Sequence, residues 1–319
     1  MNYGGFFAMI DEVHKKTGKG KLFLFADMVH CGLKFQAGYV DYNLFEMYNM
    51  TEKERGTVIT RGINNSIIKK CNDPELMKIF HNKERFNERF DKYLKRDWLK
   101  ITPDNFEEFK AFADKHPRFV AKPTDLACGI GVEIIEVGNK DLKEIFDGLL
   151  EKKQFLLEEP VVQCKEIAAI HPDSVNTLRV VTLMGHVVVA FLRIGNLHLH
   201  VDNFNHEGLA APVDIHDGII KYKALKKSGE LYTEHPVTGV PIVGFKIPRW
   251  DEVVAFCETA AKEIPEVGYV GWDVCVMEDG VCFIEANEFP GHDIYGLPPH
   301  RDKNEGLLPV FKEAMNNAK

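Results

Sequence analysis

Two apolar, β-branched runs, Tyr269-Val-Gly-Trp-Asp-Val-Cys-Val-Met277 and Val281-Cys-Phe-Ile-Glu-Ala-Asn287, are separated only by Glu278-Asp-Gly280. Runs of this kind around an Asp-Gly step form a β-hairpin, with Gly280 supplying the positive φ of a tight turn. The cargo is unusual, because Asp273 sits inside the first run and Glu285 and Asn287 close the second. A carboxylate left unpaired in a core is costly or titrates to its neutral form. Residues 285 and 287 share one face of a strand, and Asp273 can lie beside them across the ladder. A hard cation accounts for such a trio: Mg²⁺ takes oxygen ligands from one or two carboxylates and keeps its other positions for water and substrate phosphates. The alternative is an Asp273 that caps a turn and a Glu285 paired with a surface lysine.

The chain is long enough for a sizeable core and too long for one small domain, at 319 residues of which 45% are hydrophobic and 28% charged. Two or three subdomains follow. A net charge of −8 argues against a protein built to grip nucleic acid. The seven cysteines form no Cys-x-x-Cys pair and several lie in apolar runs, which suits a reducing, cytoplasmic setting. No apolar run reaches the length of a membrane span, and the N-terminus lacks the basic stretch of a signal peptide. Nothing in the pattern sets the oligomeric state.

Residues 5–100 carry no alternating strand pattern and read as helical. Asp41 to Met50, Thr51 to Arg61, Asp73 to Phe80 and Lys83 to Leu94 each repeat apolar residues at helical spacing, and Thr51-Glu-Lys-Glu54 and Asp73-Pro-Glu75 resemble helix starts. Lys83 reads as a solvated charge on a first turn unless something recruits it. From Pro117 short strands take over. Arg118 to Lys122, a loop from Thr124 containing Gly129 and Gly131, and Val132 to Glu136 make a flap whose backbone N–H groups can fold over phosphate, with Lys122 as the charge set against it. A plain hairpin loop is the competing reading, and no Walker sequence is present. Asp141 to Leu150 is a helix and Gln154 to Glu159 a strand. Thr177 to Met184 and His186 to Gly195 form a hairpin about Gly185 that carries Arg179 and Arg193. These guanidiniums read either as anion clamps or as members of structural ion pairs. A short hairpin at Ala211–Asp214 and Ile219–Tyr222 and a helix from Arg249 to Ile264 lead into the acidic hairpin.

Taken together, Lys83, Lys122-Pro with its glycine loop, the strand Phe155 to Glu159, Asn176-Thr-Leu-Arg179, Asp202-Asn203, His235-Pro-x-Thr-Gly239, Gly271-Trp-Asp273 and Ile284-Glu-Ala-Asn-x-x-Pro-Gly291 resemble the ATP-grasp superfamily, closest to its sugar-transfer-associated branch. The likeness extends over roughly residues 38–298. It implies an α+β fold in which two subdomains clasp ATP: a helical portion over 1–100, a small subdomain with the flap over 101–165, and a C-terminal subdomain with the metal site over 166–319. By the same resemblance Lys83 and Lys122 reach the phosphates, Gly129 and Gly131 belong to the flap, and Glu159, Val161 and Val162 form the adenine-reading hinge. Glu166 falls at the ribose acid, Asp273, Glu285 and Asn287 at the Mg²⁺ ligands, and Arg179 or Arg193 at the transferred phosphoryl group. Two departures stand out: Glu207-Gly208 replaces the family's Gly-Gly, and Pro160 removes one hinge N–H.

The resemblance implies ADP-forming carboxylate ligation through an acyl phosphate, in glycan or cell-surface polysaccharide biosynthesis, on a small-molecule or sugar-linked substrate. A kinase acting on a sugar or polyol hydroxyl would use the same lysines and metal, and a nucleotide-binding module would use them without turnover. His198, His200, His206 and His292 lie near the expected site loops as acid–base or binding groups, or as ordinary surface histidines.

Overall fold

The computed structural model describes residues 3–125, 130–196 and 208–317. Helices α1 (Tyr3–Thr17), α2 (Lys21–Phe35), α3 (Tyr39–Leu44), α4 (Glu52–Arg55), α5 (Arg61–Cys71), α6 (Lys78–His81) and α7 (Lys83–Leu94) precede the first strand, in line with the helical portion expected there. α4 starts on the expected capping box: Thr51 Oγ1 accepts from Glu54 N at 3.3 Å and Thr51 N donates to Glu54 Oε2 at 2.6 Å. Asp73-Pro-Glu75 behaves differently. Asp73 Oδ1 accepts from the N–H groups of Glu75 and Leu76 as a helix cap does, but the bonds from Lys78, Ile79 and Phe80 run to the carbonyl three residues back, and the helix begins only at Lys78. α2 was hidden by being apolar on two sides: Leu24, Met28, Cys31 and Phe35 are buried, while Leu22, Phe25, Val29 and Leu33 face outward.

A first antiparallel sheet contains β1 (Trp98–Lys100), β2 (Arg118–Lys122), β3 (Glu133–Glu136) and β4 (Leu156–Glu158), in the order β1-β4-β2-β3. Helices α8 (Phe106–Lys115) and α9 (Leu142–Glu151) cover it, joining Phe109 and Phe146 to Phe119, Ala121 and Leu157 in one core. α9 begins where Asp141 Oδ1 accepts from Lys143 N at 2.7 Å.

After the single turn α10 (Lys165–Ala168), strands β5 (Leu178–Leu183), β6 (His186–Ile194), β7 (Leu209–Val213), β8 (Ala224–Lys226), β9 (Leu231–Tyr232), β10 (Tyr269–Met277) and β11 (Gly280–Asn287) form a second antiparallel sheet, ordered β11-β10-β5-β6-β7-β8-β9. The chain's last helices are α11 (Trp250–Lys262) and α12 (Leu308–Asn317). Strand alternation divides the sheet's side chains between two cores. Val180, Leu192, Trp272 and Phe283 pack with α7 and α11, whereas Val181, Leu183, Phe191 and Tyr269 pack with α5 and α12. Gly185, at φ +83°, follows Met184 at +53° to turn β5 into β6 as expected. Gly280, at the second turn, also has a positive φ, +159°. The expected hairpin at 211–222 forms only in part: Val213 bridges Ile220, but Ile219 bridges Lys246, and no strand runs through the second arm.

Candidate active site

The β10–β11 hairpin does more than pair two strands. Its rungs run Met277–Gly280, Val276–Val281, Cys275–Cys282 and Val274–Phe283, then shift by one so that Asp273 faces Glu285 rather than Ile284. Without that bulge the two carboxylates would be out of register; the extra residue, Ile284, is what brings them side by side. On its other edge Asp273 faces Arg179 of β5. Gly271 lets this corner close, since a Cβ there would stand 3.1 Å from Arg179 Cδ and 3.4 Å from Pro290 Cβ.

Asp273 is 1% exposed and held by two guanidiniums: Arg179 Nε at 2.5 Å from Oδ1, Arg179 Nη2 at 3.1 Å and Arg193 Nη1 at 3.3 Å from Oδ2. Burial alone would raise its pKa, but Arg179 and then Arg193 outweigh it and hold the carboxyl below its ordinary value. Of the two readings of the arginines, the structure therefore shows the ion pairs, made with the expected metal-site acid. Glu285 lies on the opposite side of the balance. Burial, reinforced by Asp273, raises its pKa against the opposing pull of Lys83 and Lys122. Asn287, two residues along the same strand, has a buried side-chain Nδ2 with no hydrogen-bond partner.

Lys83 approaches from α7, its Nζ 3.9 Å from Glu285 Oε2. Asn82 caps that helix by accepting from Arg85 N at 3.1 Å, and Lys83 N donates to Thr124 O at 2.9 Å where the flap begins. A cation at a helix N-terminus opposes the dipole by about 0.3–1 kcal/mol. The face below outweighs that cost, since each large apolar side chain it buries contributes about 1.5–3 kcal/mol, and Phe86, Phe90, Tyr93 and Leu94 are all buried.

Lys122 ends β2 with its Nζ 2.6 Å from Glu158 Oε2. Glu158 is 3% exposed and also accepts from Arg96 Nε at 3.0 Å and Asn87 Nδ2 at 2.9 Å. Burial pushes its pKa up, but Arg96 and Lys122 together bring it down to about 2. The same Arg96 donates to the carbonyls of Phe283 and Ile284, at the bulge. One guanidinium thus ties the carboxylate that holds Lys122 to the distortion that pairs Asp273 with Glu285.

Lys83, Asn87, Glu158, Glu285 and Asn287 line one cavity of about 280 Å³ walled by Phe80, Phe86 and Phe289. The other expected residues lie elsewhere. Adjacent strand residues face opposite ways, and Glu159 points behind β4, where its Oε2 accepts from Asp97 N at 3.2 Å in a separate cavity. Val161 is half-buried, and Val162 and Glu166 are exposed. Gly131, at φ +73°, accepts through its carbonyl from Gln154 Nε2 at 2.8 Å. Gly129, the segment Asp202-Asn203 and the histidines at 198, 200 and 206 lie outside the described residues.

The donors suit a divalent cation. Glu285 is an acid whose surroundings favour a neutralising partner, and Asn287 can offer its oxygen where the unpartnered amide nitrogen stands if the amide is turned over. Sequence reading missed Glu158, Arg96 and Asn87, although two acids ending the apolar run Phe-Leu-Leu-Glu-Glu were a signal. It also missed Asn64 and Asn72. Asn72 Nδ2 donates to Glu288 O at 2.8 Å and Asn64 Nδ2 to Pro290 O at 3.4 Å, fixing the loop beyond Asn287.

Residues 62–312 match the family described as sugar-transfer associated ATP-grasp. Among solved structures, the ATP-grasp ligase PsnB complexed with precursor peptide PsnA2 and AMPPNP aligns over 77% of this chain and 62% of its own, at 15% identity and a TM-score of 0.46. D-Alanine-D-alanine ligase from Helicobacter pylori aligns over 78% of this chain and 63% of its own, at 14% identity and a TM-score of 0.41. The corresponding Bacillus anthracis ligase aligns over 80% and 69%, at 13% identity and 0.44. The chain thus spans about three-fifths of the PsnB structure. A search of the curated proteins gives no match.

Proposed function

Because the chain belongs to the sugar-transfer-associated ATP-grasp family and has its α+β fold with a helical N-terminal portion, we propose that it is an ATP- and Mg²⁺-dependent carboxylate ligase of the ADP-forming kind. Its place would be glycan or cell-surface polysaccharide biosynthesis, in the cytoplasm, on a small-molecule or sugar-linked acid. The reading rests on one observation above the others: Lys83, Glu285 and Asn287 line a single cavity with Glu158, and Glu158 holds Lys122 at its edge.

In this reading Glu285 and Asn287, with Asp273 behind them, hold the metal, which neutralises phosphate oxygens when bound. Lys83 and Lys122 are the point charges for the phosphates, each now resting on a carboxylate that a polyphosphate would displace or share. Arg179 and Arg193, fixed by Asp273, present guanidinium edges to the oxygens of the transferred phosphoryl group. The four-stranded sheet that ends in Lys122 serves as the flap that keeps water from the acyl phosphate. Glu159, Val161, Val162 and Glu166 remain the proposed nucleotide hinge and ribose contacts. No helix among the described residues is long and apolar enough to cross a membrane.

The test is ADP release with Mg²⁺ over pooled amino acids, sugars and nucleotide sugars, with mass analysis of the product. A ligase releases ADP only when an acid and a nucleophile are both present. Release with a single hydroxyl compound and a phosphorylated product would establish a kinase instead. Turnover that survives Asp273→Ala or Glu285→Ala would sink the metal assignment.

A further inference from the structure

Away from the site, exposed apolar side chains are unevenly spread. Of the sixteen large ones exposed among the described residues, eight fall within residues 3–40, a concentration that marks a contact surface rather than scattered exposure. α2 supplies five of them: Leu22 is 88% and Leu33 84% exposed, with Phe23, Phe25 and Val29 between them. Phe25 stacks on Phe7 of α1 with 6.4 Å between ring centres, which carries the patch onto the neighbouring helix and towards Tyr3. The family match begins only at residue 62, so the shared ATP-grasp core does not account for this surface.

The order of side chains along α2 identifies the occupant. Leu22, Ala26, Val29 and Leu33 are all exposed and stand four, three and four residues apart, the spacing of a seam along one helix face. Read from either end, the seam is a leucine, two smaller side chains and a leucine. Laid antiparallel on a second copy of itself, α2 sets Leu22 against Leu33, Ala26 against Val29, and the Phe23 ring against Gly32, which has no side chain. A two-fold axis through the midpoint makes each of these contacts twice. The same pairing brings Lys21 opposite Lys34, but each comes with its own acid: Lys21 Nζ lies 2.6 Å from Asp11 Oδ1, and Lys34 pairs with Glu52. Each end of the seam therefore carries two cations and two anions. The exposed parts of the five α2 side chains, with those of Phe7 and Tyr3, come to roughly 900 Å², against about 800 Å² per partner in a standard stable interface. A bilayer would need no such two-fold matching, and lysines already paired with acids leave little excess charge to draw anionic lipid.

We propose that the outer face of α2 is the contact of a two-fold symmetric homodimer, in which it packs antiparallel on the α2 of a second copy of this chain. Leu22 and Leu33 close the two ends of the seam, and Phe23 fills the space over Gly32. The proposal goes beyond the ligase reading and does not rest on it. None of the residues assigned to the ATP site lies in the seam, so association and ADP release can be measured separately.

Sedimentation velocity of the full chain between about 1 and 100 µM should show a dimer, as an interface of this size commonly holds. Leu22→Glu/Leu33→Glu should keep the wild-type circular dichroism and weaken association at least about 100-fold, because four leucines per dimer lose their apolar cover. Leu22→Glu/Leu33→Lys replaces the same leucines but sets opposite charges across each end of the seam, and should associate more tightly than the first variant. Disulfide formation reads the register. Positions 22 and 33 are about 16 Å apart along the helix, so Leu22→Cys/Leu33→Cys should give a covalent dimer on oxidation with diamide, above the wild-type background, while neither single variant does. A wild-type protein that stays monomeric at about 100 µM overturns the proposal, as does a Leu22→Glu/Leu33→Glu variant that associates like wild type. Cross-linking of Leu22→Cys alone as readily as of the double variant overturns the antiparallel register. Monomeric protein that floats with phosphatidylglycerol vesicles would assign the patch to a membrane surface and overturn the dimer.

Discussion

Glu158 offers the sharpest stability test, because its carboxylate is nearly inaccessible and has two cations as partners. Its pKa falls from the ordinary 4.5 to about 2, since Arg96 and Lys122 outweigh the opposing effect of burial. A difference of that size corresponds to about 3 kcal/mol. The folded value is depressed, so the contribution is complete above about pH 6 and is lost as the pH falls towards 2; at pH 3 about 1 to 2 kcal/mol should remain. Glu158→Gln keeps the side chain's size and removes its charge, leaving Arg96, whose side chain is 3% exposed, without its anion. Breaking a buried pair in this way typically costs about 3–5 kcal/mol. Urea unfolding of wild type and variant at pH 7 should therefore differ by at least about 3 kcal/mol, and the gap should narrow steadily below pH 4.5. A gap that stays level down to pH 3, or a variant as stable as wild type at pH 7, would show that Glu158 is not the buried anion on which Lys122 and Arg96 rest.

Arg96→Lys keeps the charge but cannot reach Glu158 and the Phe283 and Ile284 carbonyls together, so a loss of about 2–4 kcal/mol is expected by urea unfolding, with weaker Mg²⁺–ADP binding by calorimetry. Gly271→Ala places a methyl group 3.1 Å from Arg179 Cδ; about 1–3 kcal/mol of overpacking should appear in thermal unfolding, and ADP release should fall further than stability accounts for. Arg179→Met leaves Asp273 with one guanidinium, which should raise its pKa and cost about 3–5 kcal/mol. Adding Asp273→Asn to that variant should recover part of the stability and none of the activity. Phe90→Ala, where the ring lies 5.3 Å from Trp272, should cost about 3–5 kcal/mol in denaturant unfolding and loosen the helix that carries Lys83.

The hairpin was legible because two β-branched runs around Asp-Gly leave little choice of partner, and the three polar side chains it carries stood out because buried charge is rare. What brings Asp273 and Glu285 together was not, since a regular ladder pairs Asp273 with Ile284 and nothing in Phe-Ile-Glu-Ala marks the bulge. Lys122 was visible at a strand end, but the Glu158 that holds it came from an unremarked acid pair in which only one member faces the cavity. The 73–80 stretch opens on the expected cap bonds from Asp73 but continues in i→i+3 turns, so its helix is confined to Lys78–His81. In each case the missed feature is a long-range or register-dependent contact, to which local spacing is blind.

That difference matters most for the first seventy residues, which pattern alone marks only as helical. Asn64, Asn72 and Asp41 are 0%, 5% and 3% exposed. Polar groups buried this deeply are destabilising unless they are bonded, and an apolar residue at any of the three positions could fill the space at no such cost. Each of them sends a bond to one small region: Tyr269 at the start of β10, and Glu288, Pro290 and His292 just past the end of β11. These are the two ends of the hairpin that carries Asp273, Glu285 and Asn287. The helices therefore hold the open end of the hairpin while Arg96 holds its bulge, and a shift in either would move the paired carboxylates against Lys83 and Lys122. The helical portion is thus a structural part of the site rather than an appendage to it.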